Sequence, residues 1–88
     1  MQTLFRCLHV KDGREMWIEY YLLTEESSPG VEVYGVEVVL RSADRLRPKI
    51  SRVRGVTPKL SKMISLLQRL ADQAVTPDSL RESLSALL

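Results

Sequence analysis

Residues 41–62, RSADRLRPKISRVRGVTPKLSK, hold eight of the thirteen Lys and Arg residues of this 88-residue chain and a single acid, Asp44. Several cations on one surface bind a polyanion, and phosphate contacts of that kind give affinity that falls steeply with salt. Five of the eight are Arg, whose planar fork suits phosphate or carboxylate. The candidate contacts are Arg45, Arg47, Lys49, Arg52, Arg54, Lys59 and Lys62, facing either nucleic acid without sequence preference or an acidic protein. The competing reading is a solvated strand margin. Glu19, Glu32 and Glu37 are then available to pair with Arg52 or Arg54 across a sheet, and charged edge strands keep sheets from joining end to end.

Other reactive residues are too sparse for catalysis. Cys7 and His9 stand two apart on an expected strand and so share a face, but two ligands fall short of the three or four a zinc site needs. Cys7 is expected as a half-buried small hydrophobe beside a surface imidazole. Nine serines share one His as a base, and none lies in a G-x-S-x-G elbow. Glu25-Glu26 lies in a polar segment with no burial to raise a carboxyl pKa for acid catalysis. Neither a Walker A nor a G-x-G-x-x-G motif occurs. The expectation is no enzyme: no catalytic residue, cofactor, metal or small-molecule substrate.

The formal net charge of +2 hides strong segregation. Residues 1–40 carry three cations against seven acids, 41–62 eight against one, and 63–88 two against three. A single Cys permits no intrachain disulfide, and MQTLFRCLHV lacks the features of a signal peptide. No apolar run reaches the roughly 20 residues of a membrane span. These features read as a cytoplasmic protein, with one domain over residues 1–88.

Strands must position the first half. TLFRCLHV (3–10) leads through the turn signal Asp12-Gly13 to EMWIEYYLLT (15–24). A polar loop, EESSPG, precedes VEVYGVEVVL (31–40), in which Tyr34, Val36, Val38 and Leu40 share one face. A weaker strand covers about 50–54. The period then changes: Leu60, Met63, Ile64, Leu67, Leu70, Ala71 and Ala74 follow helical spacing over 58–73. Thr57 is the expected N-cap with Pro58 at the first helical position. Thr76-Pro77 repeats that start for a second helix over 77–87, whose face is Leu80, Leu84, Leu87 and Leu88. The fold class is α+β, an antiparallel meander of three to four strands with two amphipathic helices packed on one face. A helix-turn-helix is rejected, because PDSLRES brings Asp78 and Glu82 to the start of its reading helix.

Both faces of 15–24 carry large apolar groups, while one helical layer covers only one. Trp17, Tyr21 and Leu23, on the face of Glu19, are therefore the candidate interface with a partner or a second copy.

The stretches EYYLLTEE, YGVEVVL and ISRVRGVTPKLSKMISLLQRLADQAVTPDSLRESL together resemble a small bacterial family of uncharacterised proteins, found mainly in Gram-positive anaerobes. The resemblance covers roughly residues 15–88. It implies a tyrosine-rich strand, a tyrosine-glycine strand, a short strand before a capped helix, and a second helix opened by proline. It carries no activity, and the arginine-rich 41–54 departs from it. The expected function is a non-catalytic protein-interaction or regulatory module, with a second copy or another protein as the partner at the second apolar face. Sequence-nonspecific nucleic-acid binding through 41–62 is the alternative.

Overall fold

A computed structural model describes residues 1–11 and 13–88; Asp12 of the expected Asp12-Gly13 turn lies outside them. Four strands, β1 (Gln2–Lys11), β2 (Glu15–Ser28), β3 (Val31–Ser42) and β4 (Lys49–Thr57), form one antiparallel sheet in the order of the chain. Two helices follow, α1 (Leu60–Asp72) and α2 (Leu80–Leu87), the latter opened by a short 3-10 helix, Pro77–Ser79. The architecture is α+β, with the helices on one face.

Three boundaries differ from the sequence reading. The segment expected as the loop EESSPG is strand as far as Ser28, and only Pro29 and Gly30 make the turn. The chain reverses in two residues because Gly30 takes φ +79°, open to glycine at little cost. β4 runs to Thr57, so Thr57 is not the N-cap of α1; that position is Lys59. The Thr57 hydroxyl still accepts from the Lys59 N–H at 3.2 Å, a local bond that turns the chain out of the strand. At the second start Pro77 opens a 3-10 turn with Thr76 at its N-cap position, but the Thr76 side chain makes no capping hydrogen bond and the N-cap of α2 itself is Ser79.

Alternation sorts the sheet into two faces. Ile18, Tyr20 and Leu22 oppose Leu40, Val38 and Val36 across β2 and β3, and all point at the helices. Met63, Leu66, Leu67, Leu70 and Ala71 from α1, and Leu80 and Leu84 from α2, complete that core. Leu60 and Ala74, expected on the apolar stripe, are exposed at the two ends of α1. Tyr20 is fully buried, and its hydroxyl donates to the Val75 carbonyl at 2.8 Å. Burial pushes its pKa up to about 12, with Arg6 pulling slightly the other way.

The tyrosine-glycine pair of β3 has a specific cause. β4 is bulged between its pairings at Val53 and Thr57, and the bulge lays its backbone across Gly35. A Cβ on Gly35 would stand 2.3 Å from the Val53 carbonyl oxygen and 2.9 Å from the Arg54 Cα. Gly55 supplies the other half of the bulge with φ +62°. Two glycines thus re-aim β4 before it enters α1.

Candidate functional site

The opposite face of the sheet has no helical layer. It presents Gln2, Leu4, Cys7 and His9 from β1, and Trp17, Glu19, Tyr21, Leu23 and Glu25 from β2. From β3 and β4 come Glu37, Val39, Arg41, Ile50, Arg52 and Arg54. The three candidate interface residues Trp17, Tyr21 and Leu23 thus stand together on it. Leu23 is buried among its neighbours, while Trp17 and Tyr21 are half-buried. Leu4 and Ile50, at opposite margins of the face, are 53% and 50% exposed.

Charges on this face are paired within it. Glu19 accepts from the Tyr21 hydroxyl at 2.9 Å and from Arg41 Nε at 3.1 Å. Burial, then the bond to Glu19, raises the Tyr21 pKa; that same carboxylate raises Arg41. Glu37 is 3% exposed, and its two oxygens accept from Gln2 Nε2 and Arg52 Nε. Arg54 Nε lies 4.0 Å from Glu25. Gln2, Glu25, Glu37, Arg52 and Arg54 line an open cleft of about 410 Å³ with Met1, Leu23 and Thr24. Val39, 3% exposed, stands between Glu37 and Arg41 along β3 and between Glu19 and Ile50 across the sheet. Long polar side chains cover apolar surface with their stems, and here they stand in for a missing layer.

His9 and Trp17 form a cross-strand stack, ring centroids 5.1 Å apart and planes 10° from parallel. Cys7 is exposed, not half-buried as expected, because β1 is an edge strand and nothing packs over it on this face. Among the described residues, no group of three His, Cys, Asp or Glu side chains is placed to hold a metal ion. No helix is long and apolar enough to cross a membrane.

The seven candidate cations do not converge on one patch. Arg52 and Arg54 stand on the uncovered face, paired with Glu37 and Glu25. Lys49 points to the helical side, where its Nζ is 3.2 Å from Asp78. Arg45 and Arg47 lie in the loop before β4, and Lys59 and Lys62 at the start of α1 beyond it. Among the described residues, none of these last four has a carboxylate within ion-pair distance. Nine residues of β4 separate the two pairs, about 30 Å of extended chain. The cationic stretch is therefore a line along one sheet edge. Sequence reasoning missed two contributors: Glu25, read as a loop acid, and Arg81 of α2, whose Nη2 reaches the Arg52 carbonyl at 3.5 Å. Residues 25–28, EESS, carry no apolar alternation to signal that Glu25 is in a strand.

No match was found among the curated proteins or the solved structures. A family model does match, and over nearly the whole chain, residues 2–87. The chain belongs to the family of unknown function DUF6514.

Proposed function

We propose that this protein is a non-catalytic, cytoplasmic interaction module that self-associates through the uncovered face of its sheet. The observation that carries the reading is that face itself: Leu4, Trp17, Tyr21 and Ile50 stand on it exposed or half-exposed, around the buried Leu23 and Val39, without a helix above them. Large exposed apolar patches rimmed by polar groups mark interaction sites. Pairing of Glu19, Glu25 and Glu37 within the face lowers the cost of removing them from water.

The charge distribution favours a second copy as the occupant. The β1–β2 half carries Glu15, Glu19 and Glu25 against Lys11, and the β3–β4 half carries Arg41, Arg52 and Arg54 against the buried Glu37. A two-fold axis lying between two such faces and running along the strands sets each half over its opposite. The contact is then isologous and charge-complementary. Four strands at roughly 4.8 Å spacing and about nine residues long give a face of about 500–600 Å² in plan. That sits below the roughly 800 Å² per partner of a standard interface, so the dimer is a weak one.

Sedimentation velocity across a concentration series tests this. The wild type is expected to shift from monomer to dimer in the micromolar range, and Tyr21→Lys to remain monomeric with its fold intact by circular dichroism. A wild-type protein that stays monomeric at high micromolar concentration removes the reading.

A further inference from the structure

β4 leaves one edge of the sheet open, and the direction of its backbone groups follows from the register. The Glu15 carbonyl accepts from the Ala43 N–H at 3.2 Å, so Glu15 faces β3. Alternation then turns Trp17, Glu19 and Tyr21 to β3, and turns their partners Arg41, Val39 and Glu37 to β2. Val36, Val38 and Leu40 must face β4, where they meet Val53, Ser51 and Lys49. Ile50 and Arg52 consequently direct both N–H and C=O away from the sheet. The contact from Arg81 to the Arg52 carbonyl, made from outside the sheet, agrees with this.

Beside that edge the 3-10 helix and the first turn of α2 rise as a wall. Between wall and strand lies an open groove of about 570 Å³ lined by Lys49, Ile50, Ser51, Pro77, Asp78 and Arg81. Beyond its two ends stand the unpaired cations described above, Arg45 and Arg47 on one side, Lys59 and Lys62 on the other. Outward backbone donors and acceptors next to a groove, with the Arg52 carbonyl held by a long 3.5 Å contact from Arg81 that an added strand would displace, are the geometry of strand addition. We propose that β4 accepts an extended acidic segment of a partner protein as a fifth strand. Its backbone pairs with Ile50 and Arg52, one carboxylate meets Arg81 in the groove, and another competes with Asp78 for Lys49. Its ends reach the flanking cations.

The same features disfavour a nucleic-acid strand here. A phosphodiester backbone offers acceptors alone, whereas the edge offers donors and acceptors in alternation. The aromatic side chains able to stack on bases, Trp17 and Tyr21, stand on β2, two strands away. This inference concerns the edge of the sheet and is independent of self-association through its face: peptide binding reports the first and sedimentation the second.

The test is anisotropy of a short labelled peptide alternating glutamate and valine, with a lysine–valine peptide and a labelled single-stranded oligonucleotide as comparisons. The acidic peptide is expected to bind about tenfold more tightly than the lysine one, and more weakly as salt rises. Ile50→Pro deletes an outward N–H that the sheet itself does not use, a position an edge strand tolerates. It should weaken the acidic peptide at least about tenfold while far-UV circular dichroism is unchanged. Arg81→Glu, exposed on α2, should weaken it as well and decides the matter if Ile50→Pro fails to fold. Equal binding of the two peptides, unchanged affinity in both variants, or binding of the oligonucleotide in place of the acidic peptide overturns the proposal.

Discussion

The two faces of the sheet bury side chains by different means. On the helical face, Val38 is covered by a second layer in which Met63, Leu67 and Leu70 are fully buried. On the other face its neighbour Val39 is nearly as inaccessible, yet only side chains of the sheet itself lie over it. Glu19 with Arg41 and Glu37 with Arg52 close over Val39 as ion pairs whose stems are apolar. Low exposure alone therefore does not distinguish a packed core from a surface roofed by long polar chains. The distinction is energetic: interdigitated apolar groups cannot collapse into a void, whereas half-exposed Arg stems can.

The largest predicted effect measures that difference directly. Leu70→Ala, in the helical core, should cost about 3–4 kcal/mol in urea unfolding, the transfer of the lost atoms plus an unrelaxed cavity. Val39→Ala should cost about 1 kcal/mol, because Arg41 and Arg52 resettle over the smaller side chain. Equal losses at the two positions would erase the distinction between the faces.

The same contrast explains how much was legible beforehand. The covered face was readable because its determinants are periodic: every second residue of β2 and β3, and the i, i+3, i+4 stripe of α1, point to one core. Trp17, Tyr21 and Leu23 were legible as a second apolar face for the same reason. What periodicity cannot carry is which acid meets which cation. The Glu37–Arg52 pair depends on the β3–β4 register, which depends on a six-residue loop and a bulge. The bulge in turn needs Gly35 and Gly55, two isolated glycines whose joint role appears only when the strands are side by side. The basic stretch is dense in sequence and spread in space. Its residues are consecutive because β4 is extended, and extension is what spreads them along an edge.

An intermediate effect tests whether polar satisfaction inside the core resembles that on the open face. Tyr20→Phe removes the hydroxyl that donates to the Val75 carbonyl and takes that bond from an acceptor in a buried site, a cost of about 1–2 kcal/mol. The pH dependence has a definite sign. The folded pKa, about 12, lies above the unfolded value of 10.0, so folding favours the protonated phenol. The stability this group supplies is complete below about pH 10 and is lost as pH rises through about 12, amounting to about 2–3 kcal/mol. The quantity to measure is the wild-type minus Tyr20→Phe difference in unfolding free energy, in which the contributions of all other groups cancel. It should shrink from pH 9 to pH 12; a difference that is constant or grows would show that the phenol is solvated in the folded protein. Glu19-bonded Tyr21, on the open face, should contribute a smaller change, because its ring is half-exposed.

The smallest predicted effect improves the cover of one face while leaving the other alone. At the end of α1 the Val75 N–H bonds the Leu70 carbonyl at 3.0 Å and the Ala74 N–H bonds the Ala71 carbonyl at 3.0 Å. These are the two bonds of a Schellman motif, with Ala74 at the position that takes a left-handed backbone. Its φ is 49°, where a Cβ crowds the following carbonyl and where glycine usually stands. The strain is tolerated because the motif delivers Val75 into the core and aims its carbonyl at Tyr20. Ala74→Gly relieves it at the expense of extra chain entropy in the unfolded state, for a net gain of about 0.5–1 kcal/mol. In a domain of this size that is a rise of about 2–8 °C in melting temperature. Ala74 is on the helical side, so sedimentation of the variant should match the wild type. A gain in stability with an altered dimer constant would mean that the two faces are coupled through the sheet. A loss of stability would mean that the Ala74 side chain makes contacts whose value exceeds its backbone strain.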